Sequence, residues 1–247
     1  MPTEKQYIFN QDRSLKKRVV RNLNYTDLGL IEYSEAWELQ KKIHQKRVEK
    51  RIDDVLLLLE HPHTYTLGKT AHKEHLIGSD EYLKEKNISV FEIDRGGDIT
   101  YHGPGQIVGY PVISLTEWKE DSHKYLRALE QVIIDVLEEF EIDAGRNQKY
   151  TGVWIDDRKI AAIGIKISRW VTMHGFAFNI KPDLSLFHGI VPCGIKDKNV
   201  TSLLVEIKKE ISIQSVKKML LEKFVSVFEY ESFKQINKDE LMSLLNE

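Results

Sequence analysis

The sequence has one cysteine, no long apolar run and no excess of either charge, and each of these absences removes a class of protein. With Cys193 alone, the chain cannot form an internal disulfide or a zinc site built on several thiolates. The longest apolar runs have the length of a strand, as at residues 55–59, whereas a membrane span needs about 20 apolar residues. A formal net charge of -2 does not suit a protein that neutralises many phosphates. We therefore expect no membrane span and no nucleic-acid partner.

No repeat, low-complexity tract or Pro/Gly/Ser-rich linker divides the 247 residues. The first 22 residues are polar, carry acidic side chains and lack the apolar core of a secretory signal. We predict a polar extension at residues 1–22 and a single domain at 23–247, whose C-terminal helices begin near residue 210. The absence of a signal predicts a cytoplasmic protein.

Both helical and strand periodicities are present. Apolar residues recur at steps of three and four over residues 122–140, with Ser122 as the expected N-cap. Further helices are predicted at 34–50, 212–228 and 237–245, the last with Asn237 and Glu240 at capping-box spacing. Strands are predicted at 55–60, 88–93, 107–115, 150–155, 159–168 and 171–180. Because the strands within 150–180 have only short connections, they predict an antiparallel meander and an α+β fold, with a mixed, largely antiparallel sheet flanked by helices.

Residues 95–106 read RGGDITYHGPGQ and hold four glycines in twelve positions. Glycine loses more conformational freedom on folding than any other residue, so such a cluster indicates close backbone approach or positive φ angles. The segment either contacts a ligand or is an elaborate turn between two strands. It matches neither a P-loop nor a dinucleotide-binding fingerprint, so the motif does not indicate phosphate binding.

Lys159 and Cys193 are the candidate reactive residues. Lys159 begins an apolar strand, where a lysine either extends to solvent or faces a cleft and takes part in proton transfer. Cys193 is either an inert apolar residue or a nucleophile, and its position between Pro192 and Gly194 suits display on a loop. In the same segment, Gly175 lies inside a predicted strand, which indicates close approach of a ligand or of another backbone.

Two histidine pairs raise the possibility of a metal site. His61 and His63 are two residues apart, and His72 and His75 are three apart. Zinc sites commonly need three or four convergent ligands. We predict no metal site and expect His61 and His63 to shape the bend after the strand that ends at Glu60.

These segments, in this order, resemble the lipoyl(octanoyl) transferase family, a branch of the biotin/lipoate protein ligase catalytic fold. The similarity covers about residues 25–205 and includes RGGDITYHGPGQ, RKIAAIG at 158–164, HGFAFNI at 174–180 with the later PCG, and EHPHTYTLGK at 60–69. One departure is His63-Thr64, where the family more often has a proline and a short apolar residue.

The resemblance implies an acyltransferase that moves an octanoyl or lipoyl group from acyl carrier protein to a lysine of a lipoyl domain. The acceptors would be lipoyl domains of 2-oxoacid dehydrogenase complexes and the glycine cleavage H protein. It implies that Cys193 is the acyl-thioester nucleophile and Lys159 its proton-transfer partner, in a monomer that uses no cofactor. It places the acyl chain along Arg95, Gly96, Gly97, Asp98, Ile99, Thr100, Tyr101, His102, Ala162, Ile163, Gly164, Gly175, Phe176 and Ala177.

Three alternatives remain at this point. An ATP-dependent lipoate-protein ligase shares the fold but needs a nucleotide in place of a cysteine nucleophile. A non-catalytic module that binds acyl-proteins would use the glycine-rich segment for docking. An acyl-protein thioesterase would pass the acyl group to water.

Overall fold

The computed structural model describes residues 20–191 and 199–246, which form a large sheet, a small sheet and helices on both faces of the large one. The strands in these residues are Asn22–Leu30 (β1), Asp54–Glu60 (β2), Thr64–Leu67 (β3), Ser89–Glu92 (β4), Ile99–His102 (β5), Gln106–Val112 (β6), Gly145–Arg146 (β7), Val153–Ile155 (β8), Arg158–Ser168 (β9), Val171–Asn179 (β10), Asn199–Val200 (β11) and Ser232–Gln235 (β12). The helices are Tyr33–Val48 (α1), Asp80–Glu85 (α2), Ser122–Glu138 (α3), Leu203–Ile207 (α4), Ile213–Val227 (α5) and Lys238–Asn246 (α6).

The large sheet has the order β12-β1-β2-β6-β10-β9-β8-β7, and β11 pairs with β9. The pairings of β1 with β12, of β1 with β2 and of β11 with β9 are parallel, and the other five are antiparallel. The predicted mixed, largely antiparallel sheet is therefore confirmed. The small sheet has the order β4-β3-β5.

The predicted meander is confirmed as β8-β9-β10, which pair in succession and antiparallel. Arg169 and Trp170 connect β9 to β10, and both have positive φ angles, 52° and 59°. Two successive residues of that conformation match the right-handed twist of the strands that they join. The tight turn fixes the register of β9 against β10, and this register positions the site described below.

Each face of the large sheet is covered by helices that bury an apolar stripe. Helices α3 and α5 pack on one face through Leu129, Val132, Leu220 and Phe224, and α1 and α6 cover the other through Leu39, Ile43, Leu241 and Leu245. The small sheet has its own core, which includes Tyr65, Ile99, Tyr101 and Phe187. No helix among the described residues is long and apolar enough to cross a membrane.

The ends of two helices test the capping predictions. At α6, the amide of Asn237 donates to Glu240 Oε2 at 2.8 Å and the amide of Glu240 donates to Asn237 Oδ1 at 2.9 Å, which confirms the capping box. At α3 the prediction of Ser122 was wrong. Asp121 is the N-cap, because its extended backbone lets its carboxylate accept the amides of His123 and Lys124.

Residues 95–106 do not form a single turn between two strands. Ile99–His102 is a strand that pairs antiparallel with β3, and only the glycine-containing ends of the segment are irregular. Strand β1 was not predicted either. Its sequence, NLNYTDLGL, includes a glycine and polar residues typical of turns, but parallel neighbours on both sides hold it in the sheet.

Candidate functional site

One cleft lies between the small sheet and strands β9 and β10, and we call it the inner cleft. Its lining includes Lys159 and twelve of the fourteen residues predicted to bind the acyl chain. The lining residues are Tyr33, Arg95, Gly97, Asp98, Ile99, Thr100, His102, Val108, Tyr110, Thr151, Lys159, Ala162, Ile163, Gly164, His174, Gly175, Phe176 and Ala177. Three segments that are far apart in the sequence therefore converge on one space.

The register of β9 against β10 builds one wall of the inner cleft. Ala162 pairs with Ala177, and Gly164 pairs with Gly175. Directly opposite residues in an antiparallel pair share a face of the sheet, so these four small residues lie side by side. The wall is consequently shallow and without polar side chains, which suits an alkyl chain.

The two paired glycines are required by the approach of other parts of the chain. A Cβ atom at Gly175 would lie 2.2 Å from the carbonyl oxygen of Gly109 and 2.6 Å from Pro111 Cδ. One at Gly164 would lie 2.8 Å from Arg95 Cδ. A glycine inside this strand predicted close approach of a ligand or of another backbone. At Gly175 the structure shows close approach of another backbone, that of Gly109.

Arg95 joins the glycine-rich segment to the small sheet. Its guanidinium donates to the carbonyl oxygen of Thr66 at 2.8 Å, to Thr66 Oγ1 at 3.0 Å and to the carbonyl oxygen of Gly96 at 3.0 Å. The side chain is buried and passes over Gly164. Arg95 thus places a cation in the wall of the inner cleft and fixes that wall against β3.

Lys159 lies inside the inner cleft and does not extend to solvent. Its side chain is only 7% exposed, and Nζ lies 4.8 Å from the centroid of the Trp154 ring. A cation over the face of an indole is attracted by the negative face of the ring. The side chain of Lys159 therefore faces the cleft and does not extend to solvent.

Cys193 lies outside the described residues, but the described residues on either side of it adjoin the cleft. Val191 donates its amide to the carbonyl oxygen of His75 at 2.8 Å. After the segment, Asn199 pairs with Arg158, and Val200 pairs with Lys159. The chain therefore enters the segment beside His75 and leaves it beside Lys159.

The remaining two predicted residues lie elsewhere. Gly96 lines an outer, more open cleft, and its amide donates to the carbonyl oxygen of Ile165 at 2.8 Å. Tyr101 does not line the inner cleft. Its ring packs in the core of the small sheet, and its hydroxyl is 2.9 Å from His63 Nδ1.

His174 lines the inner cleft, although the sequence assigned it no role. Its φ angle of 57° is in the left-handed region, and its amide donates to Gln40 Oε1 at 2.8 Å. Its Nε2 lies 2.9 Å from Asp94 Oδ1, and Asp94 also accepts a hydrogen bond from Lys166. Burial lowers the pKa of His174 to about 4, against the opposing effect of Asp94. The imidazole is therefore neutral at neutral pH.

Glu130 is a second residue that the sequence did not single out. Its carboxylate is fully buried on α3 and accepts hydrogen bonds from Arg127 at 2.7 Å, from Arg146 at 3.1 Å and from the amide of Gly152 at 3.2 Å. It thereby holds the segment before β8, from which Thr151 lines the inner cleft. A glutamate in an amphipathic helix gives no sequence signal of this, because its partners come from a later loop.

The histidine pairs do not form a metal centre among the residues that the structure describes, where no three ligand-type side chains are grouped to hold an ion. His61 is buried, with Nδ1 2.8 Å from the carbonyl oxygen of Ile31 and Nε2 2.8 Å from the hydroxyl of Tyr110. His75 Nδ1 lies 2.5 Å from Asp98 Oδ2, and both residues line the outer cleft. Both histidines therefore have hydrogen-bonding roles in the fold.

Residues 32–225 match the lipoyl protein ligase A/B catalytic domain. The chain belongs to that family. It is 46% identical over 234 residues to an octanoyltransferase of Cytophaga hutchinsonii, covering 87% of this chain and 96% of the relative. It is 48% identical over 212 residues to an octanoyltransferase of Solibacter usitatus, covering 86% of this chain and 96% of the relative.

Solved structures show the same fold at low sequence identity. A lipoate-protein ligase A with bound ATP superposes with a TM-score of 0.70 at 15% identity, covering 92% of this chain and 93% of the other. An archaeal bipartite lipoate protein ligase from Thermoplasma acidophilum gives 0.70 at 15% identity, covering 92% and 91%. The predicted lipoate ligase-like fold is thus confirmed.

Proposed function

We propose that this enzyme transfers an octanoyl group from acyl carrier protein to a lysine of a lipoyl domain, through a thioester on Cys193. One observation carries the proposal: a buried lysine and a wall of alanine and glycine line the same cleft, in a chain nearly half identical to octanoyltransferases. Donor and acceptor are both proteins, so each must present its reactive group at the entrance of the cleft. The enzyme acts as a monomer.

In the first step the Cys193 thiolate attacks the carbonyl carbon of the octanoyl thioester. The bond to the sulfur of the carrier's prosthetic arm breaks, and that sulfur leaves as a thiol with a proton from Lys159, whose amine becomes neutral. In the second step the amine of the acceptor lysine attacks the octanoyl-Cys193 carbonyl, the amide bond forms, and the carbon–sulfur bond breaks, which regenerates the Cys193 thiolate. The covalent intermediate divides the transfer into two easier steps, and neither step consumes a nucleotide.

Lys159 supports both steps from its buried position in the cleft. A cation near a thiol favours the thiolate, which is the nucleophilic form. Lys159 is neutral after the first step, so it can accept the proton that the attacking amine loses as the amide forms, and this restores the cation beside the thiolate. The stretch after Cys193 returns to the large sheet at Val200, in register with Lys159, which supports this pairing.

The alkyl chain binds along the small residues of β9 and β10 and the facing residues of the glycine-rich segment. Burial of apolar surface contributes about 0.8 kcal/mol per methylene group. An eight-carbon chain therefore gains several kcal/mol, and a shorter chain binds correspondingly less well. Arg95 and His102 hold the segment that covers the chain.

The experiment is intact-mass detection of an acyl adduct, with purified enzyme and octanoyl-acyl carrier protein in buffer free of nucleotide. The wild-type enzyme should gain one octanoyl group and pass it to an added lipoyl domain, and Cys193→Ala should do neither. Circular dichroism of the variant provides the folding control. Near wild-type transfer by Cys193→Ala would disprove the covalent mechanism.

The same assay separates the other functions. A requirement for ATP would identify a ligase, release of free octanoate without amide formation would identify a thioesterase, and binding without turnover would identify a docking module. Each of these results would overturn octanoyl transfer as the main activity.

A further inference from the structure

Three buried polar atoms, one of them on His174 of the inner cleft, have no hydrogen-bond partner among the described residues: Trp37 Nε1, Gln40 Nε2 and His174 Nδ1. Trp37 and Gln40 are three residues apart on α1, and so lie on the same side of that helix. Gln40 contacts His174 directly through its Oε1, and the rings of Trp37 and His174 are 6.4 Å apart. The three residues are therefore neighbours. An unpaired buried polar atom costs about 1–3 kcal/mol, so three of them together call for a common partner.

The donor and acceptor character of the three atoms is fixed by their surroundings. An indole Nε1 and an amide Nε2 can only donate. His174 Nε2 lies 2.9 Å from Asp94 Oδ1. Burial raises the pKa of Asp94, but hydrogen bonds from Lys166 and His174 outweigh this and lower it, so the carboxylate is ionised and only accepts. The neutral imidazole must therefore carry its proton on Nε2, which makes Nδ1 an acceptor.

Two donors and one acceptor are the complement of a water molecule, which accepts two hydrogen bonds and donates up to two. We propose that a single ordered water binds between Trp37 Nε1, Gln40 Nε2 and His174 Nδ1, and that it closes the inner cleft and limits the length of the bound acyl chain. A water in this position pairs all three atoms.

The position of His174 relates this water to the length of the acyl chain that the cleft holds. His174 pairs with Ile165, six residues along β9 from Lys159, which corresponds to about 20 Å at roughly 3.3 Å per residue. Lys159 and His174 both line the inner cleft, so an alkyl chain that lies along β9 from Lys159 runs towards His174. Tyr33 and Tyr110 are buried around the same end. This part of the inference rests on the proposed octanoyl transfer, whereas the water site itself does not.

The first test is a crystal structure of the wild-type enzyme at a resolution that orders internal water. We expect one water within hydrogen-bonding distance, about 2.7–3.2 Å, of all three atoms. A structure in which the three side chains bond directly to one another, or leave the position dry, would overturn the proposal.

The second test measures adduct formation with octanoyl, nonanoyl and decanoyl carrier protein for Trp37→Phe. This variant keeps an aromatic ring but removes one of the two donors that hold the water. A water occupies about 30 Å³, close to the volume of one methylene group. Loss of the water should therefore admit one more methylene and raise the nonanoyl-to-octanoyl rate ratio about fourfold, the value that corresponds to about 0.8 kcal/mol per methylene.

Trp118→Phe is the matched control. Trp118 Nε1 is also buried without a partner among the described residues, but its ring packs against Phe228 in the core beneath α3 and α5. The relative rates of Trp118→Phe with the three acyl chains should equal those of the wild type. An unchanged profile in both Trp37→Phe and Gln40→Leu would refute the limit on chain length. If the wild-type enzyme formed no adduct with any acyl chain, octanoyl transfer would fail, while the crystal structure would still decide the water site.

Discussion

Val200 pairs in parallel register with Lys159, so the chain that follows the cysteine segment rejoins the sheet at the buried lysine of the cleft. The amide of Thr201 then donates to the carbonyl oxygen of Lys159 at 3.0 Å, which fixes this junction. A lysine held by its own backbone at this point cannot shift without moving the chain after Cys193.

Lys159→Met should slow octanoyl transfer by at least tenfold, because methionine keeps the apolar stem and removes the cation. A free thiol has a pKa of ~8.5, and a nearby cation lowers it. The midpoint of Cys193 alkylation by iodoacetamide should therefore move to higher pH in the variant. Lys223→Met, on the surface of α5, is the control. If the alkylation curve of Lys159→Met coincided with that of the wild type, activation of the thiol by Lys159 would be ruled out.

Gly175→Ala should destabilise the protein by about 1–3 kcal/mol and reduce activity, because the new methyl group would lie 2.2 Å from the carbonyl oxygen of Gly109. Strands β6 and β10 would have to separate at the wall of the cleft. Gly145→Ala is the matched control, since a Cβ there has no neighbour within 4 Å among the described residues. Urea unfolding measures the change in stability, and a transfer assay measures the change in activity. Equal stability of the two variants would contradict the steric explanation.

Asp54→Ala should cost about 3–5 kcal/mol of unfolding free energy, the usual loss when one partner of a buried ion pair is removed. Asp54 is buried and accepts from Arg21 at 3.0 Å, from Arg47 at 2.8 Å and from the hydroxyl of Tyr230 at 2.7 Å. It thus joins β2 to α1 and to the chain between α5 and β12. The exposed Asp53 provides the control, Asp53→Ala. A loss below 1 kcal/mol in Asp54→Ala, measured by urea unfolding, would show that the network contributes little.

Stability should fall as the pH drops from about 6.5 towards 4. Burial lowers the pKa of His61 and of His174 to about 4, whereas both have ordinary values of about 6.5 in the unfolded chain. Between these values the unfolded state binds more protons than the folded one. The stabilisation is therefore complete above pH 6.5 and is lost on acidification, at about 1.4 kcal/mol per pH unit for each histidine.

The check is the free energy of unfolding at pH 7.5, 6.0 and 5.0, measured with urea. His61→Asn should show a shallower dependence than the wild type, because one buried histidine is gone. The exposed His123 serves for comparison as His123→Asn, which should follow the wild-type curve. A wild-type free energy that stayed constant from pH 7.5 to 5.0 would contradict the prediction.

Much of the fold could be predicted from the periodicity of apolar residues in the sequence. The helices at α1, α3, α5 and α6 and the long strands β9 and β10 were found because each has an uninterrupted apolar pattern. Short strands such as β3, β5 and β7 span two to four residues and carry too little pattern to be recognised. The division at residue 22, the monomeric state and the cytoplasmic location stay predictions.

The sequence by itself determined the chemical groups of this enzyme: a single thiol, a lysine at the start of an apolar strand, and glycines where the chain comes close to itself. The motifs were sufficient to predict twelve residues that line one cleft. Tertiary structure alone decided that Lys159 is buried against Trp154, and that Tyr101 packs in the core of the small sheet. It also decided that His174 meets Asp94, which is 80 residues away, and Gln40, 134 residues away. Such contacts depend on how sheets and helices pack, and local sequence patterns do not encode them.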